Sequence, residues 1–459
     1  MKFLLTHGYF IQDDPKEQEI MKPYVPLGIL YISAYLEQYR KEHEVFDSTF
    51  HSFNDLKQYI ESFQPDCIAV YVNLMTRINV LKLIKWIKNS AHLKHIKIIL
   101  GGPEVRYHAE DLLKYGADVI SVGEGEQSIL EIYQHFETSN DVPETIEGTI
   151  LLKEGKLILN EERKLLKDIN LLPVPNRKKI KLDLYLNTWK ERHGYSTISV
   201  STMRGCPYTC KWCSRAVYGG TYRRRSPALV VEELLSIKKN YNPDRIWFVD
   251  DVFTISHKWL KEFAALMISQ QAVIPYEIIT RADRMNDEVI ELLKQSGCFR
   301  IWIGAESGSQ KIIDAMDRRV EVKQVREMII KSKNAGMEAG TFIMLGYPGE
   351  TIQDIKETIE HLKISAPSFY TVTVAYPIKG TPLYEEIKND ITSITDWEKD
   401  TDRAIDFKRT HSKKFYEYAV RWVHNEIESG KNNSLAQKLK HKTKAMIVRT
   451  MMQLESFKN

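Results

Sequence analysis

Along the first 140 residues or so, short apolar runs alternate with stretches patterned like helices. The runs lie at residues 2–8 (KFLLTHG), 42–48 (EHEVFDS), 67–72 (CIAVYV), 96–103 (IKIILGGP) and 118–126 (DVISVGEGE), with an amphipathic stretch from Leu27 to Gln38 after the first. Runs apolar at nearly every position predict strands buried on both faces. With helices of about three turns between them they predict an α/β fold, a doubly wound parallel sheet. Such a sheet binds ligands beyond the carboxyl ends of its strands. Those ends carry His7-Gly8, Asp47-Ser48, Asn73-Leu74-Met75-Thr76, Gly101-Gly102-Pro103 and Gly123-Glu124-Gly125-Glu126, small or polar residues beside which a cofactor can approach the backbone.

A hairpin is predicted at 148–160, turning at Glu154-Gly155, and the proline-bearing stretch 171–177 (LLPVPNR) reads as a linker. From Ser196 the alternation resumes, with strand patterns at 196–206, 244–251, 276–283, 299–307, 339–350 and 369–382. Six strand–helix units predict an open or closed parallel barrel, with its chemistry at the strand C-termini. Beyond residue 385 the pattern is helical, and Phe415, Tyr418, Ala419, Trp422 and Val423 form one apolar stripe expected to be core. The expected organisation is a sheet domain at 1–145, hairpin and linker at 146–190, a barrel at 191–385 and a helical segment at 386–459, without internal repeats or low-complexity tracts.

Composition narrows the class. The chain has 459 residues, 43% of them hydrophobic and 27% charged, which excludes disordered and fibrous proteins. Lys+Arg number 65 and Asp+Glu 61, too even a balance to demand a nucleic acid or an anionic membrane as partner. The basic surplus gathers from Thr401 onward, with 13 Lys+Arg against 6 Asp+Glu, and a solvated helical face accounts for it. No apolar run is long enough to span a membrane, and MKFLLTHGYF breaks at His7-Gly8, too early for a secretory segment, so a cytoplasmic location is expected. Five cysteines do not suggest a disulfide scaffold.

Three of the five fall within eight residues, in Arg204-Gly205-Cys206-Pro207-Tyr208-Thr209-Cys210-Lys211-Trp212-Cys213, directly after a predicted strand. A C-x3-C-x2-C loop can wrap three thiolates around a cuboidal iron–sulfur cluster and leave the fourth iron open to a ligand. A structural zinc site would need a fourth ligand nearby, and the nearest histidines, His193 and His257, stand 13 and 44 residues from the cysteines. Cys67 and Cys298 lie in or beside apolar strand patterns and read as buried thiols.

C-x3-C-x2-C at the end of a barrel's first strand resembles the radical S-adenosylmethionine (SAM) superfamily. The resemblance implies a 4Fe-4S cluster on Cys206, Cys210 and Cys213 and SAM bound to the fourth iron. One-electron reduction would cleave SAM to methionine and a 5′-deoxyadenosyl radical. It further implies SAM contacts at matching strand ends: Asp250 and Asp251 for the amino group, Arg281 for the carboxylate, Glu306 and Ser307 for the ribose, and Trp212 and Gly346 beside the adenine. Arg223-Arg224-Arg225, after the cluster loop, is equally consistent with a solvated face and with a site for an anionic group.

A doubly wound sheet ahead of such a barrel resembles the superfamily's cobalamin-binding branch, whose Rossmann-like domain is matched by Pro26-Leu27-Gly28-Ile29-Leu30-Tyr31, Gly101-Gly102-Pro103-Glu104 and Gly123-Glu124-Gly125-Glu126. Cobalamin contacts are implied at Leu27, Gly28, Asp47, Asn73, Leu74, Thr76, Gly101, Gly102, Pro103, Gly123, Glu124 and Gly125. The D-x-H-x-x-G signature is absent, since Asp47 is followed by Ser48-Thr49-Phe50, so no histidine ligand to cobalt is expected; a residue between Asn73 and Thr76 is the candidate to face the metal.

The implied activity is cobalamin-dependent methylation of an unactivated carbon in a small molecule, with an electron donor such as flavodoxin or ferredoxin as partner. The alternative is radical ring formation or rearrangement without methyl transfer, since Tyr222-Arg223-Arg224-Arg225-Ser226-Pro227 resembles the anaerobic magnesium-protoporphyrin ester cyclase group. A methylthiotransferase would need a second cysteine triad where Cys67 stands alone, and a non-catalytic cobalamin sensor gives no reason for an open three-thiol site. Tyr347, Tyr376 and Trp397 could line a substrate cavity or simply pack in the core.

Overall fold

The computed structural model describes residues 1–393, 396–431 and 434–456. Its strands are β1 (Phe3–His7), β2 (Glu44–Phe46), β3 (Cys67–Tyr71), β4 (Lys97–Gly101), β5 (Val119–Ser121), β6 (Thr149–Lys153), β7 (Lys156–Leu159), β8 (Thr197–Val200), β9 (Met203–Arg204), β10 (Arg223–Arg224), β11 (Arg245–Phe248), β12 (Tyr276–Thr280), β13 (Cys298–Glu306), β14 (Glu338–Leu345) and β15 (Phe369–Val374). The chain forms two compact units, residues 1–207 with 214–246 and 395–401, and residues 208–213 with 247–394 and 402–459.

In the first unit, seven strands run in the order β2-β1-β3-β4-β5-β6-β7, parallel through β5 and closed by the antiparallel β6–β7 hairpin. Period-2 alternation feeds two cores. Leu4, Ile68, Val70, Ile98, Leu100 and Ile120 bury on one face. Phe3, Leu5, Cys67, Ala69, Ile99 and Val119 bury on the other. Helices Phe53–Phe63 and Arg77–Asn89 supply apolar stripes to the first face, and helices Leu27–Gln38 and Gly125–Thr138 to the second. A capping box, Ser52 with Asp55, fixes the start of helix Phe53–Phe63. The order reverses at β1, so the crevice between the ends of β1 and β3 is the switch point at which such sheets hold ligands. One row of the ladder, His7, Tyr71, Gly101 and Ser121, forms the rim.

The second sheet is strictly sequential, β8-β11-β12-β13-β14-β15, with parallel ladders from β12 through β15. Helices of 9 to 15 residues, such as Asp287–Gln295 and Pro227–Tyr241, precede its strands as the alternation predicted. A bulge interrupts β13 between Gly304 and Glu306 and re-aims its last residue. The C-terminal helices are Lys413–Lys431 and Leu435–Ser456. On the first, Phe415, Tyr416, Ala419, Trp422, Val423 and Ile427 are buried. Tyr418, expected in that stripe, is instead half-buried at its margin, with the Arg421 guanidinium 5.9 Å from its ring, and Tyr416 is buried on the opposite margin.

Candidate functional site

The cluster loop begins from a backbone that only glycine can adopt. Gly205 has φ +82°, and a Cβ there would stand 2.3 Å from the Thr221 carbonyl oxygen. Just before it, Arg204 Nη1 donates to Glu124 Oε1 at 2.8 Å and Nη2 donates to Glu126, all three side chains buried. Arg223, cross-strand from Arg204, donates to Glu124 Oε2 at 2.7 Å. Burial pushes the Glu124 carboxyl up, but these two guanidiniums outweigh it and hold the group below its ordinary value.

Within the arginine run, Arg223 and Arg225 are thus engaged by internal carboxylates. Arg224 donates to Thr202 Oγ1 at 3.0 Å, and Arg225 shares the buried Glu233 carboxylate with Arg177.

In the second unit, Tyr208–Cys213 is pinned by backbone bonds from Lys211 N–H to the Met316 carbonyl at 3.1 Å and from Leu383 N–H to the Lys211 carbonyl at 2.9 Å, and by the Thr209 hydroxyl donating to Asp317. Cys210 is buried, Cys206 half-buried and Cys213 exposed; none is in a disulfide. Two guanidiniums converge on Cys210 Sγ, Arg281 Nη1 at 3.7 Å and Arg318 Nη1 at 3.6 Å. A sulfur facing two cationic donors is suited to carry negative charge, which is what a cluster thiolate does. Neither histidine considered for zinc is turned to a thiol: His193 Nε2 bonds the Met21 carbonyl at 2.9 Å and His257 Nε2 the Arg284 carbonyl at 3.2 Å.

Arg281 is almost wholly buried, its Nε donating to Asp283 at 2.8 Å, its Nη2 to the Arg318 carbonyl at 2.6 Å, and its plane stacked 3.7 Å from the Tyr208 ring. The carboxylate it meets here is that of Asp283. Arg318, which sequence reasoning missed, links three site elements: Cys210 Sγ, the Gly304 carbonyl at 2.9 Å and Glu306 Oε1 at 3.6 Å. Its pattern, one of two adjacent arginines in a turn after a short helix, offers no signal in the sequence.

Glu306, at the end of β13, holds φ +64°, a left-handed conformation costly for a side chain of this size and a mark of strain at functional sites. Burial raises its carboxyl above the ordinary value despite Arg318 and Arg281 nearby. Ser307 is buried, with its hydroxyl 3.2 Å from that of Thr358 and accepting from Ser309 N–H at 3.1 Å. Asp250 is buried. Asp251 opens to solvent yet stands among packed atoms, and this packing together with the Asp250 charge raises its carboxyl. Trp212 lies half-buried against the cluster of Ile312, Met316, Tyr347 and Leu383, with Arg318 5.8 Å from its ring. Gly346, φ +78°, donates its N–H to Glu350 Oε2 at 2.6 Å. Tyr347 is core, Trp397 packs on the first sheet's core, and Tyr376 is half-buried.

On the rim of the first sheet, Asp47 is claimed by His7 Nε2 at 2.9 Å, the Tyr185 hydroxyl at 2.8 Å and Thr49 N–H at 3.1 Å, bonds that outweigh burial and lower its carboxyl. His7 Nδ1 accepts from Tyr9 N–H at 3.2 Å, so both ring nitrogens are engaged. Asn73 Oδ1 accepts from Met75 and Thr76 N–H, both at 3.0 Å, and Thr76 Oγ1 from Asn73 N–H at 2.9 Å, a self-contained turn with Leu74 half-buried in it. Gly102 has φ +115°, and a Cβ there would meet the Val72 carbonyl at 2.4 Å and the Tyr71 ring at 3.0 Å. Gly101 and Pro103 flank it half-buried, and a Cβ on Gly28, next to the half-buried Leu27, would stand 3.7 Å from the same ring. Gly125 lies against Ile32, where a Cβ would be 3.1 Å away. Beyond Gly123, φ +85°, a cavity of about 500 Å³ opens, its lining including Arg106, Arg163, Lys164 and Arg215.

Residues 200–362 match the radical SAM superfamily and residues 19–132 the B12 binding domain. The chain is a radical SAM enzyme with a B12-binding domain. The enzyme is 27% identical over 386 residues to an uncharacterized methyltransferase of Pyrococcus horikoshii, covering 82% of this chain and 81% of the relative. It is 23% identical over 391 residues to the anaerobic magnesium-protoporphyrin IX monomethyl ester cyclase of Cereibacter sphaeroides, covering 81% of this chain and 62% of the cyclase. Its fold matches the cobalamin-dependent S-adenosylmethionine radical enzyme OxsB, solved with aqua-cobalamin and S-adenosylmethionine, at TM-score 0.75 and 16% identity over 99% of this chain and 72% of that one. The radical SAM domain implies a 4Fe-4S cluster and SAM, and the B12-binding domain implies cobalamin. No helix among the described residues is long and apolar enough to cross a membrane.

Proposed function

We propose that this enzyme methylates an unactivated carbon of a small-molecule substrate, with the cluster on Cys206, Cys210 and Cys213. The observation that carries the reading is the pair of buried guanidiniums on Cys210 Sγ, one of which also reaches Glu306, because it joins the cluster loop to a strained strand end suited to a cationic nucleoside cofactor. When bound, the cluster, SAM and cobalamin supply reductive cleavage of SAM to a 5′-deoxyadenosyl radical and a carrier for the methyl group.

The chain's own residues hold and orient. Asp250 and Asp251 are acceptors for the SAM ammonium, Glu306 and Ser307 for the ribose hydroxyls, and Trp212 and Gly346 bound the adenine. Arg281 and Arg318 hold the Cys210 sulfur and exclude water from it. In the cavity beyond Gly123, where Arg106 and Arg163 are paired with Glu162 and Glu131, Lys164 is the cation suited to the phosphate of the cobalamin tail, and the exposed Gly28 lets the corrin lie against backbone. The relative named a methyltransferase supports methyl transfer. In the arginine run that resembles the cyclases, Arg223 and Arg225 are taken up by internal ion pairs, which weakens their support for ring formation.

Anaerobically reconstituted protein, incubated with SAM, cobalamin and a strong reductant, is expected to yield 5′-deoxyadenosine and S-adenosylhomocysteine by mass spectrometry. Deoxyadenosine without S-adenosylhomocysteine sinks methyl transfer in favour of cyclisation or rearrangement. Neither product, from protein that binds iron and sulfide through Cys210, sinks turnover without a triggering substrate.

A further inference from the structure

Six of the 22 large apolar side chains exposed among the described residues fall on one helix, Leu435–Ser456. They are Leu435, Leu439, Met446, Ile447, Met451 and Leu454, each 43–72% exposed. At 100° per residue they cover about 160° of the helix circumference, along a rod about 33 Å long. The opposite side is occupied. Ala445 and Met452 are buried, His441 Nδ1 lies 3.1 Å from Asn425 Oδ1, and the Arg449 guanidinium lies 5.5 Å from the Trp422 ring, so this face packs on helix Lys413–Lys431. The exposed leaf is therefore left over after the hairpin has formed.

Its margins are basic. Lys438 and Lys442 border one edge and Lys444 the other, with Lys440 just inside it and Thr443 and Thr450 within the arc, and none of the four lysines makes an ion pair among the described residues. With Arg449 the helix carries five basic residues against one acidic, Glu455. A mainly apolar leaf, broken by two threonines and flanked by lysines, has the form of a helix lying in the plane of a bilayer, its leucines in the acyl boundary and its lysine stems reaching out to headgroups. A second copy docked leaf to leaf would set lysine rows against lysine rows, which like charge opposes. We propose that this helix docks the enzyme on an anionic phospholipid surface, parallel to it and without spanning it.

The test is sedimentation of the full-length protein with extruded vesicles, of phosphatidylcholine alone or of three parts phosphatidylcholine to one part phosphatidylserine. The expected result is binding to the anionic vesicles, little to the neutral ones, and release as salt is raised. Lys440→Glu with Lys442→Glu and Lys444→Glu, all at exposed or half-buried positions, is expected to weaken binding roughly a hundredfold with circular dichroism unchanged. Leu439→Asp with Ile447→Asp is expected to weaken it at least about tenfold. Absence of binding to anionic vesicles, or binding unaltered in the folded charge-reversed variant, overturns the proposal. So does a dimer by light scattering that Ile447→Asp converts to monomer, which would make a second copy the occupant.

Discussion

Arg204 and Glu124, 80 residues apart in sequence, stand 2.8 Å from each other with both side chains almost wholly buried. The glycine-rich end of β5 thereby clamps the residue two before the first cluster cysteine. Removing Glu124 leaves Arg204 with Glu126 alone and takes the carboxylate from the nearly buried Arg223, which costs about 3 kcal/mol. Glu124→Ala is expected to lower the thermal midpoint by several degrees, whereas Glu162→Ala, at an exposed carboxylate, should leave it within a degree or two. Because the native state holds the Glu124 proton less tightly than the unfolded chain, its contribution is present above the ordinary value of 4.5 and lost as pH falls through the native value. Equal midpoints for the two variants at neutral pH would refute the clamp.

Gly205→Ala is expected to misplace the loop, because a Cβ at φ +82° would strike the Thr221 carbonyl. Iron and sulfide incorporation should fall along with that of Cys206→Ala, Cys210→Ala and Cys213→Ala, while Cys67→Ala keeps full loading. Burial pushes the Cys67 thiol up to about 12, leaving no thiolate there to ligate. Full loading in Gly205→Ala would show that the loop tolerates a side chain.

Arg318→Met removes one donor from Cys210 Sγ and the cation nearest Glu306. The expected variant still binds iron, since three thiols remain, but shows an altered electron paramagnetic resonance signal of the reduced cluster and a 10- to 100-fold lower yield of 5′-deoxyadenosine, the range typical of lost supporting contacts. Arg318→Lys, keeping charge without the fork, should recover part of the yield. A spectrum identical to wild type would reduce Arg318 to packing.

Glu350 is fully buried and its carboxyl is pushed up to about 8 by burial, with Gly346 N–H and Lys311 pulling the other way too weakly to offset it. Its Oε1 has no hydrogen-bond partner. The folded state thus holds this proton more tightly than the unfolded chain. The stabilisation is complete below 4.5 and is lost as pH rises through about 8. Glu350→Gln should flatten that decline and, above pH 8, melt higher than wild type by at least about 1 kcal/mol equivalent. Parallel pH profiles for the two proteins would mean that Glu350 does not titrate in the fold.

The strands were legible because burial on both faces makes a run apolar at nearly every position, as in CIAVY of β3 and KIILG of β4. The cysteine loop was legible from spacing alone. What pattern could not supply was partnership across the fold. Glu124 reads as a rim residue until Arg204 and Arg223 reach it, and Arg318 acquires meaning only where helix Gln310–Ala315 ends beside Cys210. The missing side chain at Gly102 was rightly read as a demand for close approach, yet the nearest approaching atoms are the protein's own, the Val72 carbonyl and Tyr71 ring. Tyr418 stands about 200° round the helix from Tyr416, just outside the stripe that Phe415, Tyr416, Ala419, Trp422, Val423 and Ile427 bury.

The β6–β7 hairpin gives the first sheet a further property. A parallel sheet ending at β5 would offer the apolar backbone of Val119-Ile120-Ser121 to any passing chain, a template for intermolecular strand addition. The antiparallel hairpin caps that edge. It leaves β7 outermost, four residues long with Lys153 and Lys156 at its turn, and the opposite edge, β2, has three. Neither border is long enough to recruit a neighbour, so the sheet is guarded against self-propagating aggregation during the interval when a nascent or cofactor-free chain is most exposed to it.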